Sequence, residues 1–522
     1  MHTEAERSII VIGAGAGGLA AACDLARQGV AVKVFESHPV VGGRIHQQQI
    51  QGLPIDSGPT VLTMRWVFDD LLAACGERLE DGGFRLRPLE VLARHAWSDR
   101  EQLDLFADPD QSVEAIGAFA GPDEARRFKA FVEEARRTYH NLEGAYIRAE
   151  RPSLSSMSAD LGLRGLVALA GLGPFASLWR SLGRHFHDPR LRQLFARYAT
   201  YCGGSPWLAP ATLTLIAYVE MRGVWVADGG MQALARRMAD CAVRQGASIA
   251  CGQAVTRIIV EGGQACGVVL ADGSEYRADA VIFNGEAGAL LAGLLGDAGT
   301  RALKANEVGP RSLSALTIAL KATVSGFDLD YHNVFFQPDY ASEFEDVFER
   351  HRLPRQPTVY LCAPDRSPAL AGARTALPQE NDERLFALIN APAQTDDAAL
   401  TQEELSQCLH SAFSHLERCG LKLSNTPEMG KITTPEDFAQ RFQGSAGALY
   451  GMAPHGWMAS FRRPGARTRL SGLFLAGGSA HPGAGVPMAT LSGRLAAATA
   501  MAHLDSTRRS TRVRIAGGMS MA

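Results

Sequence analysis

Apolar runs separated by glycine turns mark three distant parts of the chain, the first of them near the amino terminus. Residues 9–12 and 31–35 are almost continuously apolar, which predicts two buried strands. Between them, a glycine-rich segment at 13–18 leads into an alanine- and leucine-rich run at 19–22 that predicts a helix. The order of strand, glycine turn, helix and strand is typical of an α/β protein with a parallel sheet.

The second such part lies in the middle of the chain. Residues 232–244 predict an amphipathic helix with Leu234, Met238 and either Cys241 or Val243 on its inward face. Alternating apolar positions at 255–260 and 266–270, and a short apolar run at 280–283, predict strands that follow this helix. Glycine pairs at 262–263 and an Asp-Gly at 272–273 predict the hairpin turns between them.

The third part lies near the carboxyl terminus. Residues 472–477 predict a buried strand that ends in a glycine turn, and residues 489–496 predict a helix with Pro487 in its first turn. Apolar runs at 161–172 and 175–179 are too short to span a bilayer, which needs about 20 residues. Contact with a membrane surface, the wall of a substrate tunnel and an ordinary buried helix all remain open for these runs.

Composition and charge limit the function classes. The chain has 522 residues, 46% apolar and 20% charged, which is ordinary for a globular protein of two or three domains. A net charge of −3 gives no electrostatic reason to expect nucleic acid as a partner. Nine cysteines without a C-x-x-C pair predict reduced thiols, and neither cysteine nor histidine spacing predicts a metal site.

The glycines of the first segment have distinct expected tasks. Gly13 makes the tight turn, Gly15 lets the backbone approach a pyrophosphate, and Gly18 lets the helix pack on the strand. Glu36 ends the second apolar run, where a carboxylate accepts hydrogen bonds from a ribose. The pattern therefore predicts a dinucleotide site. A glycine-rich turn in some other α/β unit is the alternative interpretation.

The residues that follow carry a family resemblance. Glu36, the Gly-Gly-Arg at 42–44 and the Asp-Ser-Gly-Pro-Thr at 56–60 resemble FAD-binding oxidoreductases that include amine oxidases and bacterial phytoene-desaturase-type carotenoid desaturases. The resemblance implies that FAD is the cofactor and that Gly43 and Arg44 lie at its phosphates. It also implies that the backbone of Gly58, Thr60 and Leu62 lies beside the flavin. A surface cation is the alternative for Arg44.

Residues 475–488 are similar to the carboxyl-terminal flavin motif of carotenoid desaturases, with a His-Pro-Gly-Ala-Gly core. The resemblance implies flavin contacts from Gly477, Ser479, Val486 and Met488. No acidic residue follows Gly477, so Ser479 or backbone groups would have to bond the ribitol. A helix starting here would direct its positive end toward the reduced, anionic flavin.

The family resemblance implies a fold. We expect an α/β protein with a discontinuous Rossmann-like FAD-binding domain, built from residues 1–75, 225–305 and 445–505, and an inserted α+β substrate domain. The inserted domain, from residues 76–224 and 306–444, would face the substrate and the membrane, and residues 506–522 would form a mobile basic tail. The backbone at Val255 would contact the adenine, although a purely structural hairpin explains this residue equally well.

Four further segments, at 58–68, 103–108, 115–121 and 360–366, look like those of the 1-hydroxycarotenoid 3,4-desaturases. That resemblance implies a flavin-dependent enzyme of carotenoid biosynthesis that introduces a C3–C4 double bond into a 1-hydroxycarotenoid. A phytoene desaturase or carotenoid isomerase of the same family, a flavin amine oxidase and a non-catalytic carotenoid-binding protein remain the alternatives.

The sequence gives fewer observations on the partners and the catalytic groups than on the cofactor. We expect a carotenoid substrate, attachment to the cytoplasmic side of a membrane, and dioxygen, a quinone or another carrier as electron acceptor, because no second dinucleotide motif predicts a reductase half. Arg65, His95, Trp97 and Asp365 are weak candidates for binding the hydroxyl end or accepting the proton. A salt bridge or a hydrogen bond within the core explains each of them more simply.

Overall fold

The structure is a computed structural model that describes residues 7–150, 176–366, 382–394, 400–424 and 430–516. The strands of these residues are, in chain order, β1 Ser8–Ile12, β2 Ala31–Glu36, β3 Gln47–Ile50, β4 Leu53–Asp56, β5 Leu86–Pro88, β6 Val91–Ala96, β7 Gln102–Phe106, β8 Trp225–Ala227, β9 Ser248–Cys251, β10 Val255–Glu261, β11 Gln264–Leu270, β12 Glu275–Arg277, β13 Ala280–Phe283, β14 Ser314–Ser325, β15 His332–Phe335, β16 Val359–Cys362, β17 Asp382–Ala391, β18 Lys422–Leu423, β19 Lys431–Thr433 and β20 Leu473–Leu475.

The α-helices of the same residues are α1 Ala16–Ala26, α2 Trp66–Ala74, α3 Pro109–Ala120, α4 Pro122–Leu142, α5 Leu178–His185, α6 Pro189–Ala196, α7 Leu215–Met221, α8 Met231–Arg244, α9 Ala287–Leu291, α10 Asp297–Thr300, α11 Tyr340–Phe348, α12 Gln402–Arg418, α13 Pro435–Arg441, α14 Ala459–Arg462 and α15 Val486–Ala516. None of the helices in the described ranges has the length and apolarity needed to cross a bilayer.

A five-stranded parallel sheet in the order β20-β13-β1-β2-β9 draws its strands from all three of the glycine-marked segments. Parallel strands need crossover connections, and α1 supplies the one between β1 and β2. All eleven residues of α1 are buried, because it packs against both α8 and α15. This sheet confirms the predicted Rossmann-like, discontinuous α/β fold, whereas the exact domain boundaries stay a prediction.

A second, mixed sheet is built from residues inserted between these segments. Its order is β18-β14-β17-β16-β15-β6-β7, with β19 also paired to β14. The long strands β14 and β17 pair antiparallel over ten residues, from Ser314 with Ala391 to Thr323 with Asp382. One face of this sheet meets helices α3 to α6 in an aromatic-rich core that includes Phe128 and Phe195. The inserted substrate domain is therefore α+β, as the fold prediction states.

The structure bears on two further predictions, for the carboxyl-terminal tail and for the apolar runs at 161–172 and 175–179. The tail at 506–522 is predicted to be mobile, and α15 extends into it as far as Ala516; its mobility stays a prediction. The apolar run at 161–172 lies outside the described residues. Of the neighbouring run at 175–179, Leu178 begins α5 and is fully buried, which is the behaviour of an ordinary core residue.

Candidate functional site

A cavity of about 550 Å³, the sheet-edge cavity, opens at the carboxyl ends of the parallel strands. This is the edge at which α/β sheets bind their ligands, because glycine turns and helix amino termini converge there. Predicted site residues in its lining are Gly13, Gly15, Glu36, Gly43, Arg44, Gly58, Val255, Gly477 and Val486. The structure therefore brings residues from all three segments into one place.

The three glycines of the first turn have different roles in the structure: two line the cavity and one allows close packing. Gly13 has a φ of +96° and Gly15 precedes α1, and both line the sheet-edge cavity. Gly18 lies outside the lining, and a Cβ there would stand 2.0 Å from the Gly13 carbonyl oxygen. Only glycine allows α1 to approach the turn this closely. The amino terminus of α1 consequently points its unpaired N–H groups at the cavity.

The Glu36 carboxylate is held in place by backbone groups at the end of β2. Its Oε2 accepts from the Ala14 N–H at 2.7 Å, and its Oε1 accepts from the His38 N–H at 2.9 Å. The residue is buried and lines the cavity. Because each carboxylate oxygen has more than one acceptor site, capacity remains for the hydroxyl groups of a ribose.

Arg44 lies inside the sheet-edge cavity rather than on the surface. Its Nη2 donates to Glu286 Oε1 at 2.6 Å and to the Ala448 carbonyl at 3.2 Å, and its guanidinium lies 4.9 Å from the centre of the Phe442 ring. Its Nε is buried without a protein partner. An orphaned charged donor in a cavity lined by glycine backbone is suited to a phosphate oxygen.

Glu286 and Asn284 are site residues that the sequence reasoning missed. Asn284 Nδ2 donates to the Gly13 carbonyl at 3.1 Å, and a Cβ on Gly477 would stand 2.6 Å from Asn284 Oδ1. Asn284 therefore holds the first and last glycine turns against each other. The signal that could have found both residues is their place just after β13, at the carboxyl end of a parallel strand.

The loop from Gly58 to Leu62 divides between cavity and core. Gly58 lines the sheet-edge cavity, and a Cβ there would stand 2.0 Å from the Arg44 carbonyl oxygen. Thr60 is hydrogen-bonded to the Tyr360 hydroxyl at 2.6 Å. Leu62 is fully buried, lines neither described cavity, and accepts a backbone hydrogen bond from Trp225. The structure thus places Leu62 behind the residues that line the cavities, whereas the resemblance implies a position beside the flavin.

In the carboxyl-terminal motif, Ser479 has a connecting task. Its hydroxyl donates to the Gly285 carbonyl at 3.0 Å and accepts from the Ala287 N–H at 3.2 Å, so it ties this motif to the segment after β13. Ser479 is not among the cavity-lining residues. His481 is also internal: its Nε2 lies 3.0 Å from both the Tyr146 and Ala149 carbonyls, and burial lowers its pKa to about 4.

A second cavity, the apolar cavity, has a volume of about 610 Å³ and lies between the parallel sheet and the inserted domain. Predicted residues in its lining are Gly58, Thr60, Val486 and Met488. The two cavities share seven lining residues, so they meet along a common wall: Gly58, Pro59, Leu388, Tyr450, Ala484, Gly485 and Val486. Val486 begins α15, so the amino terminus of this helix points at the junction.

The weak catalytic candidates lie outside both cavity linings. Arg65 forms ion pairs with Asp69 and Glu80 on the surface. His95 Nδ1 bonds the Leu103 carbonyl at 3.1 Å, and burial lowers its pKa to about 4.

The remaining two candidates also have internal partners. Asp365 pairs with Arg384 and accepts from the Arg384 backbone N–H at 2.8 Å. The Trp97 indole donates to Gln193 Oε1 at 2.8 Å. The contacts of all four candidates are those of structural residues, which is the simpler explanation given above.

Three cysteines that are far apart in sequence converge in the core of the parallel-sheet domain. The thiols of Cys23, Cys75 and Cys241 lie within 4.8 Å of one another, where α1, α8 and the end of α2 meet. Hydrogen bonds from the other two thiols lower the pKa of Cys75. This thiol cluster lines neither cavity. Sequence spacing could not predict it, because Cys23 lies on α1, Cys241 on α8 and Cys75 just after the end of α2.

The sequence profile of the flavin containing amine oxidoreductases matches residues 16–501 of this chain. The chain belongs to this family. It is 52% identical over 513 residues to the hydroxyneurosporene desaturase of Rubrivivax gelatinosus, covering 98% of this chain and 96% of that protein. It is 44% identical over 501 residues to the hydroxyneurosporene desaturase of Cereibacter sphaeroides, covering 96% and 99%.

Among solved structures, an oxidoreductase from Methanosarcina mazei has the same fold, with a TM-score of 0.59 and 16% identity over 93% of this chain and 99% of that one. The relatives confirm the resemblance to phytoene-desaturase-type proteins, and the family confirms an oxidoreductase that uses a flavin. The fold agrees with that family.

Proposed function

We propose that the protein is an FAD-dependent 1-hydroxycarotenoid 3,4-desaturase of carotenoid biosynthesis. The observation that carries the proposal is the common wall of the two cavities, where a glycine-lined cavity that contains Glu36 and Arg44 meets a largely apolar one. The shared identity with two hydroxyneurosporene desaturases over nearly the whole chain supports the choice of substrate.

The residues of the sheet-edge cavity suit FAD. Glu36 would accept hydrogen bonds from the adenosine ribose, and the amino terminus of α1 with Arg44 would bind the diphosphate. Val255 would lie at the adenine, since it lines this cavity together with Gln253, whose N–H donates to the Glu36 carbonyl at 2.8 Å. Ser479 is engaged with backbone groups, so the ribitol would be bonded by the backbone at Gly477 and Gly478.

A bound flavin would supply a two-electron acceptor. The protein would hold the substrate in position and exclude water from the reacting carbons. The polyene would lie in the apolar cavity with C3 and C4 at the shared wall, near Tyr450 and Val486. Holding the reacting bond there replaces a bimolecular encounter by a fixed geometry, and the apolar lining excludes water. The conjugated polyene stabilises charge that develops on the allylic carbon, so no strong protein nucleophile is needed.

Peripheral attachment to the cytoplasmic face of a membrane is part of the proposal. Trp457 lines the apolar cavity and yet is 41% exposed, and Leu208 is 51% exposed. The two are close, because the Leu208 carbonyl accepts from the N–H of Gly456. Exposed apolar side chains at a cavity mouth suit entry of a substrate from lipid. Dioxygen, a quinone or another carrier would reoxidise the flavin.

The experiment that tests this function offers the purified, flavin-loaded protein three carotenoids in liposomes: 1-hydroxyneurosporene, neurosporene and phytoene. We expect a red-shifted product with one more conjugated double bond from the hydroxylated substrate, identified by chromatography. Protein stripped of flavin is the control. A red shift with phytoene alone would contradict the 3,4-desaturase assignment and favour a phytoene desaturase.

A second measurement separates an enzyme from a carotenoid carrier. Under anaerobic conditions, mixing the loaded protein with 1-hydroxyneurosporene should bleach the flavin absorbance within a single turnover. Binding of the carotenoid with no bleaching, and with no product after aeration, would indicate a binding protein instead.

A further inference from the structure

Two arginines, Arg197 and Arg463, line the largely apolar cavity, and Arg463 is hydrogen-bonded to the carbonyl oxygens of Tyr450 and Met452. Arg197 Nη1 donates to the Tyr201 hydroxyl at 3.1 Å, and the guanidinium lies 5.3 Å and 5.2 Å from the centres of the Tyr201 and Tyr360 rings. Among the described residues, no carboxylate lies within 4.0 Å of this guanidinium, and no second acceptor is bonded to it. A guanidinium has five N–H donors, so most of its donor capacity is left for a ligand.

Neighbouring polar groups hold Arg197 in this place. Burial raises the pKa of Glu220, whose Oε2 accepts from the Tyr198 hydroxyl at 2.7 Å, and the Tyr198 ring lies 5.5 Å from the Tyr201 ring. Arg197, Tyr201 and Glu220 all line the apolar cavity. The arrangement places a cluster of polar groups in a largely apolar wall, and polar groups buried in this way are costly unless they have hydrogen-bond partners.

The network also lies close to the wall that the two cavities share. One of the two rings near the Arg197 guanidinium belongs to Tyr360, whose hydroxyl is 2.6 Å from both Thr60 Oγ1 and His332 Nδ1. Thr60 directly follows Gly58 and Pro59, which line both cavities. One tyrosine side chain and one threonine therefore separate the guanidinium from the junction.

This position suits one feature of the substrate. In a 1-hydroxycarotenoid the oxygen is on C1, and C3, where the new double bond begins, is only two bonds further along the chain. A protein group that binds this oxygen has to lie close to the reacting carbons. Arg197 meets that requirement, and the apolar part of the cavity is left for the polyene.

We propose that Arg197, positioned by Tyr201, forms a subsite that binds the C1 hydroxyl oxygen of the substrate. The inference rests on the function proposed above, and it assigns the selection of hydroxylated substrates to Arg197. A hydrocarbon end group would cover the guanidinium without giving it an acceptor, and sites of this kind reject the analogue that lacks the hydroxyl. The same hydrogen bond would fix the position of the polyene along the cavity, and so which carbons lie at the junction.

The test compares Arg197→Met, Arg197→Lys and Tyr201→Phe with the wild-type holoenzyme on 1-hydroxyneurosporene and neurosporene. Because loss of a hydrogen bond from a charged donor is typically worth ten- to a hundredfold, kcat/KM for the hydroxylated substrate should fall by roughly that factor in Arg197→Met. The value for neurosporene should stay the same or rise. Arg197→Lys should retain part of the preference, and Tyr201→Phe should weaken it.

Arg180→Met is the matched control, since Arg180 is an exposed arginine on α5. Flavin content and thermal stability report whether each variant is folded. An equal fall for both substrates in a variant that keeps its flavin would mean a structural role for Arg197 and would overturn the inference.

Binding, measured by quenching of tryptophan fluorescence, separates this inference from the proposed function. If wild-type protein converts neither substrate, the proposed desaturation fails. The subsite then still predicts that wild-type protein binds the hydroxylated carotenoid more tightly than neurosporene and that Arg197→Met loses this difference. Equal binding of the two carotenoids by the wild type would overturn the subsite itself.

Discussion

Among single residues, Glu36 shows which site residues a sequence can predict. Its position at the end of β2 is local information, and so are the Ala14 and His38 N–H groups that hold its carboxylate. Arg197 and Glu286 depend on distant contacts instead: Glu286 pairs with Arg44, 242 positions away, and Arg197 faces a cavity whose wall comes from many segments. No local pattern contains such information.

Replacing Glu36 by Gln tests the ribose contact. The amide keeps one acceptor oxygen but loses the charge, and charged hydrogen bonds contribute about 1.5–3 kcal/mol, so we expect FAD to dissociate roughly ten- to a hundredfold more readily. Titration of stripped protein with FAD, followed by flavin fluorescence, measures this. Glu349→Gln, an exposed acid at the end of α11, is the control. Equal FAD affinity in the Glu36 variant and the wild type would mean that Glu36 does not bind the cofactor.

Single helices and strands were predictable where their pattern was regular. The strands at 280–283 and 255–261 and the helix at 231–244 lie where alternation and helical spacing predicted them. Pairing between distant strands was not predictable: β15 pairs parallel with β6, about 240 positions earlier in the chain. Register in such a sheet is set by tertiary contacts, which a single sequence does not show.

The contact between α1 and α15 gives a prediction about helix packing. A Cβ on Gly493 would stand 1.9 Å from the Gly17 carbonyl oxygen, so Gly493→Ala forces the two helices apart. We expect a loss of about 1–3 kcal/mol in the free energy of unfolding and weaker retention of the flavin, because the amino terminus of α1 moves. Thermal unfolding of the loaded protein and its flavin content are the readouts.

Gly117→Ala in α3 is the matched control for this helix contact. A Cβ there meets only the Ala125 Cβ, at an ordinary 3.5 Å, so alanine should be neutral or should stabilise by up to about 1 kcal/mol. A Gly493→Ala protein as stable as the wild type would mean that the helices are not in close contact at this point.

In the molecule as a whole, three chain segments close one parallel sheet, and the inserted sheet covers its ligand edge. The resemblance predicted this arrangement, because strand, turn and helix recur around each glycine motif. It could not predict that several histidines would be withdrawn from solvent. Burial lowers the pKa of several of them, to about 4 for His46, His95, His415, His455 and His481.

These buried histidines make stability depend on pH. A histidine with a pKa near 4 in the folded protein and near 6.5 in the unfolded chain binds its proton mainly after unfolding. Its stabilising effect is therefore complete above pH 6.5 and is lost as the pH falls toward 4. For His95 alone, we expect a loss of about 1–2 kcal/mol between pH 7 and pH 5. Buried carboxyl groups with raised pKa values, such as Glu220 and Glu343, act in the opposite direction.

Comparison of wild type with His95→Gln isolates one histidine, because the carboxyl groups contribute equally to both proteins. The glutamine amide can still donate to the Leu103 carbonyl, the contact that His95 Nδ1 makes. Urea unfolding at pH 7 and pH 5 should show that the variant, although less stable at pH 7, loses about 1–2 kcal/mol less on acidification. His351→Gln, at an exposed histidine, should follow the wild-type pH dependence. The same decline in the His95 variant and the wild type would mean that His95 is protonated in the folded protein and that its burial does not keep it neutral.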